Sequence, residues 1–458
     1  MRNHFLFFCL LLSHYVWSGP GDTLGYLVNS IESNQPIIAL DCSPNGNYLA
    51  IGGTGDIIDI YQSNLGIKVK SLIGHTDDVL CVRFSPDNRL LATGGVDTRI
   101  VIWDVASGIP ITTMEGHTDY VRDLSFSPDG RYLASAGMDR TACIWEVGTG
   151  RLVHLLSDHQ DHVTSVAFNH DGSKLLSSCG DHFLRVWDPE SGELQNKLLG
   201  HSDDIWDVKW SHSSSLAASG GWDNRVRVWN LEKGSQLLDL AGHEGDVGSV
   251  AFNPDGTMLA TGGEDKAIKL WDLATGRMII NLSSDAHSAA VEEISFSPDG
   301  RTLMSCSRDG YIHFWTIPSL EERFTSAVEV AMKAWVVKSP YEKTKDYEKR
   351  INHANQEARR KRKELEEGLL DFYESNVDWG SSFSLGRYNA DFEYFIINSP
   401  ILGTLRLKVA PKEAPQVAEN FDRIDFRDLE MMLVKGELAV KSVTAYFPDL
   451  NKRFVARP

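Results

Sequence analysis

Cysteine is scarce in this chain: six in 458 residues, too few for a disulfide framework. Positive charge is also short. Lys and Arg number 45 against 63 Asp and Glu, a formal net charge of −18. A field of that sign argues against nucleic acid or an anionic membrane as the main partner. No apolar run is long enough to cross a bilayer, so no transmembrane span is expected. Also missing are GxSxG, HExxH, CxxC, GxxxxGK[ST] and a GxGxxG ahead of a helix. Without these nucleophile, zinc, redox and nucleotide motifs, the expectation is a non-enzymatic protein with no catalytic residue and no cofactor.

Glycine (38) and tryptophan (12) are plentiful while proline (16) is ordinary, which points to many tight turns and not to disorder. Hydrophobic residues make up 42% and charged residues 24%, normal for a folded chain long enough for two or three domains. The first residues read as a leader, 1–18. Arg2 is a small basic region, Phe5 to Leu12 is apolar, and Val16-Trp17-Ser18 offers a cleavage site after Ser18. Cleavage would remove Cys9 and leave five cysteines, an odd number, so buried and inert thiols are expected. An uncleaved leader would instead leave the protein in the cytoplasm.

A repeat governs the next part. Histidines stand at His75, His117, His159, His201, His243 and His287, and tryptophans at Trp103, Trp145, Trp187, Trp229, Trp271 and Trp315. Both series are spaced 42, 42, 42, 42 and 44 residues apart. Within one unit, Gly116 to Glu146, apolar residues alternate (Val121, Leu124, Phe126; Leu133; Cys143, Trp145) between SPDG and GMDR turns. Such alternation predicts short antiparallel strands. Four of them in about 42 residues make a propeller blade.

The units resemble WD40 repeats, with GH near the start and a WD-type dipeptide near the end. Trp103-Asp104, Trp187-Asp188 and Trp271-Asp272 match it; Trp145-Glu146, Trp229-Asn230 and Trp315-Thr316 are variants. The resemblance covers 21–317 and implies a mainly β fold. Six units carry the family's hydrogen-bonded tetrad. The first holds His75, Thr93, Asp97 and Trp103, the second His117, Ser135, Asp139 and Trp145. Then come His159, Ser177, Asp181 and Trp187; His201, Ser219, Asp223 and Trp229; His243, Thr261, Asp265 and Trp271; and His287, Ser305, Asp309 and Trp315. The indole N–H can donate to the hydroxyl, the hydroxyl to the imidazole and the imidazole to the carboxylate. Hydroxyl, imidazole and carboxylate together also suggest a catalytic triad, but six copies at fixed spacing mark a structural device. A seventh, degenerate unit comes first, with Ser33, Ile51, Gly55 and Tyr61 at the tetrad positions. Seven units suit a closed seven-bladed ring. Tyr26 to Ile31 should supply the last outer strand, pairing with the strand that ends at Trp315 and removing the open edge. Deleting 22–32 should open the ring.

The resemblance implies that partners dock on the top face, at the third and fifth residues after the GH histidine and the residue before the tetrad Asp. The third positions are Asp78, Tyr120, His162, Asp204, Asp246 and Ala290. The fifth are Leu80, Arg122, Thr164, Trp206, Gly248 and Glu292. Those before the Asp are Val96, Met138, Gly180, Trp222, Glu264 and Arg308. Tyr120, Arg122, Met138, His162, Trp206 and Trp222 fall on three consecutive units, a composition that suits an interface hot spot. Asp204, Asp246, Glu264 and Glu292 form an acidic flank. The expectation is a scaffold that docks a protein or peptide there, with a basic segment favoured. The alternative is a small-ligand or glycan module using the same aromatics. Asp158 to His162 (DHQDH) is dense in metal-ligand types, but adjacent loop residues have no firm geometry, and no metal is assigned.

After Trp315 the pattern changes. A helical linker spans 319–374: a first helix over Ser319 to Val337, with Phe324, Val328, Ala331, Met332 and Trp335 on one face, then a charged helix from about Thr344 to Tyr373. Its basic run, Arg359 to Lys363, is followed by Glu364, Glu366 and Glu367 and reads as a solvated face. The remainder, 383–458, reads as a small α+β domain, with strands in YFII, TLRLKV, ELAVKSVTAYF and KRFVAR. The segments SPYEKTKDYEKRI, GRYNADFEYFII, GTLRLKVAPKEAPQVAENF and ELAVKSV resemble a C-terminal module of Bacteroidota envelope and signalling proteins. That resemblance implies a bacterial, exported setting, in the periplasm or cell envelope, and no particular activity.

Overall fold

The structure, a computed structural model, describes residues 27–33, 35–211, 215–282, 287–318 and 344–376, together with the strands and short helix named below between 384 and 457. The leader, and with it Cys9, lies outside the described residues.

Seven four-stranded antiparallel sheets follow one another along the chain. Their inner strands, for blades one to seven, are Ile37–Cys42, Val79–Phe84, Val121–Phe126, Val163–Phe168, Ile205–Trp210, Val247–Phe252 and Val291–Phe296. Each touches the next, and the seventh touches the first, so the sheets close into a ring. The outer strand of blade seven is Leu27–Glu32, which pairs antiparallel with Tyr311–Thr316. The two ends of the ring therefore share one sheet.

Local chemistry sets the strand ends. In the turn after six of the seven inner strands, a Ser or Asn side chain binds an Asp or Asn two residues on, as Ser127 Oγ does with Asp129 at 2.6 Å. The fourth turn residue takes a left-handed backbone, φ 70° at Gly130 and 64° at Asn88, which glycine and asparagine tolerate best. The cores sit between blades. One cluster joins Ile58, Ile60 and Leu72 of blade one to Val82, Leu91 and Trp103 of blade two. Another seals the closure, with Ile37, Leu49 and Tyr61 of blade one against Met304, Ile312 and Phe314 of blade seven.

The first linker helix lies almost entirely outside the described residues. The charged helix is two helices, Thr344–Asn352 and Ala354–Asn376. His353 separates them: its N–H donates to the Arg350 carbonyl, and its own carbonyl accepts from Gln356 and Glu357 to start the second helix. The basic run is engaged within that helix, with Arg362 on Glu366 at 2.7 Å and Lys361 on Glu364 at 3.0 Å. Beyond it a six-stranded sheet runs in the order Ser384–Asn389, Tyr394–Ser399, Gly403–Lys408, Lys452–Arg457, Glu437–Phe447 and Asp425–Val434. A short helix, Ala414–Glu419, falls within APKEAPQVAENF. Two strands escaped the sequence reading, Ser384–Asn389 and Asp425–Val434. The first is half polar, and the second mixes charges with Leu and Met, which have good helix propensity.

Candidate functional site

Five blades carry a complete side-chain chain. The tryptophan indole N–H donates to the Ser or Thr hydroxyl at 2.8 to 2.9 Å in blades two, three, five, six and seven. That hydroxyl lies 2.7 to 2.8 Å from histidine Nε2, and Nδ1 donates to the Asp carboxylate at 2.9 to 3.0 Å. These groups are buried, so each bond offsets the cost of taking a polar group out of water. The glycine before the histidine makes room for the indole: a Cβ on Gly116 would sit 2.8 Å from Trp145.

Blade four departs from the sequence expectation. Trp187 and His159 both bond Ser177, at 2.8 Å each, but His159 Nδ1 is buried without a hydrogen-bond partner. Arg185 has taken Asp181, with Nη1 and Nη2 on its two oxygens at 2.9 and 2.5 Å. Its Nε holds Asp158 at 2.9 Å. Asp158 stands where blades two, three, five and six have glycine, and it draws the guanidinium across the blade. Burial and the Arg185 charge push His159 down to about 4. In blade five Arg227 has no such second anchor and shares Asp223 with His201.

The fifth-position residues occupy a common backbone feature. Every inner strand shifts register there, as between Val121 and Asp123 or Ile205 and Asp207. This is a bulge, which re-aims a side chain. The bulge residues Ile38, Leu80, Arg122, Thr164, Trp206, Gly248 and Glu292 ring the channel mouth around a cavity of about 30 Å³, room for about one water. The side chains of the bulge residues narrow the mouth to that volume.

The third-position and pre-Asp residues are bound to each other through the backbone. Met138 N–H donates to the Tyr120 carbonyl at 2.9 Å, Gly180 to His162 at 3.0 Å and Trp222 to Asp204 at 2.8 Å. On this frame the structure brings four of the six sequence-predicted residues into one chain of contacts. The Arg122 guanidinium lies 4.8 Å from the Trp206 ring centre, Trp206 stacks on Trp222 at 5.0 Å, and His162 meets Trp206 edge-on at 6.4 Å. Tyr120 and Met138 form a separate pair on blade three. Tyr120 is 44% exposed and Trp222 40%, while Trp206 is half-buried. Thr164 is no surface residue: it is buried, its hydroxyl bonded to Ser178 and the Ile205 carbonyl. In the acidic flank, Arg308 pairs with Glu292 at 2.6 Å, and burial raises the Asp204 and Asp246 carboxyls above the usual range.

Sequence reasoning missed a belt of polar residues below the mouth. Asp41 accepts from Phe84 N–H of the next blade at 2.7 Å, Asp123 from Val166 at 3.2 Å, Asp207 from Val250 at 2.9 Å and Ser249 from Ile294 at 3.1 Å. Glu293 closes the circle on Leu40 at 3.2 Å. Arg83 bridges Asp123 and Glu293 at 2.8 and 2.7 Å, and Lys209 pairs with Asp207 at 2.6 Å. The available signal was a recurrence: Asp123, Ser165, Asp207, Ser249 and Glu293 each stand six residues after the repeat histidine. The five described cysteines are all free, and four are buried. Burial pushes the Cys179 thiol up to about 12, far from the thiolate that reacts.

A closed seven-bladed ring, its sheets tied internally by Trp–hydroxyl–His–Asp chains, defines a β-propeller of the repeat type. The model of the WD domain, G-beta repeat, matches residues 66–104, 108–146, 150–188, 192–230, 234–272 and 280–316. These six matches cover half of the chain, and the protein belongs to the WD40 repeat family. Blade one, which lacks the tetrad, lies mostly outside them. No curated protein matches the chain closely enough to be reported as a relative.

Proposed function

We propose that this protein is a non-enzymatic scaffold whose propeller docks a protein or peptide segment on the top face of blades three to five. The observation that carries this reading is the Trp206–Trp222 stack, capped by Arg122 and exposed at Trp222. A rigid aromatic and arginine cluster loses little side-chain entropy on binding, which is the character of a hot spot. Tyr120 and Met138 extend the patch on one side and Asp204, Asp246 and Glu264 on the other, so the partner segment is basic. The narrow channel mouth supports a surface mode of binding. The leader pattern and the resemblance of the C-terminal segments to Bacteroidota modules support an exported protein, with 319–374 as helical linker and 383–458 as a separate α+β module.

The test is selection from a displayed peptide library with the full chain, comparing wild type with a Trp206→Ala, Trp222→Ala variant of equal thermal midpoint. Peptides enriched in Lys and Arg, retained by wild type and weakened at least tenfold by the variant, are expected. Equal enrichment by both proteins would remove the aromatic sector from the function. Hits on a glycan array that depend on the same two tryptophans would favour the glycan-binding reading.

A further inference from the structure

Between the outer strand of blade seven, Leu27–Glu32, and the third and fourth strands of blade one, Ile57–Gln62 and Ile67–Ile73, lies a groove of about 640 Å³. It marks a side chain that is missing. In the other six blades a tryptophan is buried at this place, from Trp103 at 0% exposure to Trp187 at 3%. Blade one has Tyr61 there, with Ser33 at the histidine position and Ile51 at the hydroxyl position. No tetrad can form, and the smaller set leaves space between the two blades. The ends of the groove are fixed by close contacts. At one end Gly66 packs on Ile31, where an added Cβ would come within 3.2 Å, and at the other Gly53 packs on the Pro36 carbonyl.

Tyr61 carries the argument. The residue is only 6% exposed, yet its hydroxyl lines the groove and has no hydrogen-bond partner among the described residues. Ile51 cannot accept from it as Thr93 accepts from Trp103 in blade two. A buried hydroxyl left unpaired costs energy, which a ligand in the groove would offset. Burial and the Asp59 charge hold the phenol above its usual range, so it keeps its proton and can both donate and accept. On the same face Asp59 is set in place by Lys68 at 3.2 Å and Ser71 at 2.5 Å, which leaves lone pairs on its oxygens. Ser33 and Gln35 bring a hydroxyl and an amide from the loop opposite. Ile57 and Leu65 line the same groove and are 41% and 57% exposed.

These groups select a ligand by its chemistry. Lys68, the cation among the described lining residues, is held by Asp59, so a phosphate or other anion finds no open partner. The Asp59 charge is matched in the same pair, and Glu32 is hydrogen-bonded to the Tyr311 phenol. What fits is a neutral molecule with several hydroxyls, each able to donate and accept, and with aliphatic faces between them. A groove of this volume takes a small organic ligand. We propose that it binds a neutral mono- or disaccharide, with Tyr61 and Asp59 hydrogen-bonded to the sugar hydroxyls and Ile57 and Leu65 against its C–H faces. The site shares no residue with the top-face patch and is independent of the docking reading.

The test is calorimetric titration and amide NMR of the full chain, with glucose, galactose, N-acetylglucosamine, cellobiose and chitobiose as probes. One sugar site per chain is expected, with shifted amides at Ile31, Gly53 and Gly66. Tyr61→Phe keeps the ring and should weaken binding about 10-fold. Its thermal midpoint should stay level or rise, because the hydroxyl has no partner inside the fold. Asp59→Asn removes a charged acceptor and should weaken binding at least as much. The Trp206→Ala, Trp222→Ala variant should bind sugar as wild type does, which separates failure of this site from failure of the docking reading. No response to any probe would overturn the assignment. So would affinity unchanged in both groove variants, or a lowered Tyr61→Phe midpoint, which would show the hydroxyl serving the fold.

Discussion

At the residue scale, Arg185 shows how one side chain rewires a repeated network. Its planar fork takes both Asp181 oxygens, a pairing stronger than a neutral imidazole makes with one. His159 keeps Ser177 and loses the carboxylate. Its folded pKa of about 4 lies below the ordinary 6.5, so the unfolded chain binds a proton the folded chain refuses. Stability from this group is full above pH 6.5 and falls as pH drops towards 4, by about 3 kcal/mol in all. NMR titration should find the His159 midpoint near 4. Arg185→Val returns Asp181 to His159, and the midpoint should move up by more than one unit. An unmoved midpoint would mean that burial alone sets it. The tetrad positions were legible because type and spacing recur every 42 residues. The exception was not, because it depends on Arg185 meeting Asp158, 27 residues away in sequence.

At the element scale, blade one and the closing strand carry the ring's junction. Blade one keeps the alternation that builds strands, and its core is as buried as any other, with Ile58 and Leu49 at 0% exposure. It lacks the internal polar chain, since Ile51 and Tyr61 replace hydroxyl and indole. Beside the closing strand a groove of about 640 Å³ remains, lined by Glu32, Gln35, Tyr61 and Lys68 among others. Local opening follows the weakest cooperative unit. Native-state hydrogen exchange should therefore release the amides of Ile57–Gln62 before those of Ile100–Asp104, the matching strand of blade two. The reverse order would show that packing outweighs the polar chain. Strand pairing at the junction was legible because Leu27–Glu32 is an outer strand without its own inner strands. The latches between blades were harder to read. Each joins a side chain of one repeat to the backbone of the next, a relation that alternation along a single strand does not contain.

At the scale of the whole molecule, the channel concentrates charge where seven inner strands converge. Among the described belt residues, Arg83 and Lys209 are the cations that meet Asp41, Asp123, Asp207 and Glu293. One carboxylate is consequently held above its normal range. Burial, together with Glu293 and against the Arg83 charge, raises Asp41 to about 6. The folded chain keeps this proton while the unfolded chain releases it near the ordinary value of 3.8. Stability from Asp41 is thus full below pH 3.8 and lost as pH rises through 6, opposite in sign to His159. Between pH 4 and 6 the two groups oppose each other, and the ring's response to acid is flattened. Asp41→Asn removes one side of that balance. The amide oxygen still accepts from Phe84, and Arg83 keeps Asp123 and Glu293. Denaturant unfolding should show the variant more stable than wild type above pH 6 by about 2 kcal/mol. It should also show a steeper loss from pH 6 to 4, as His159 titrates unopposed. A variant weaker than wild type at pH 8 would mean that Arg83 needs all three carboxylates, and that the belt holds the ring through its ion pairs more than its backbone latches.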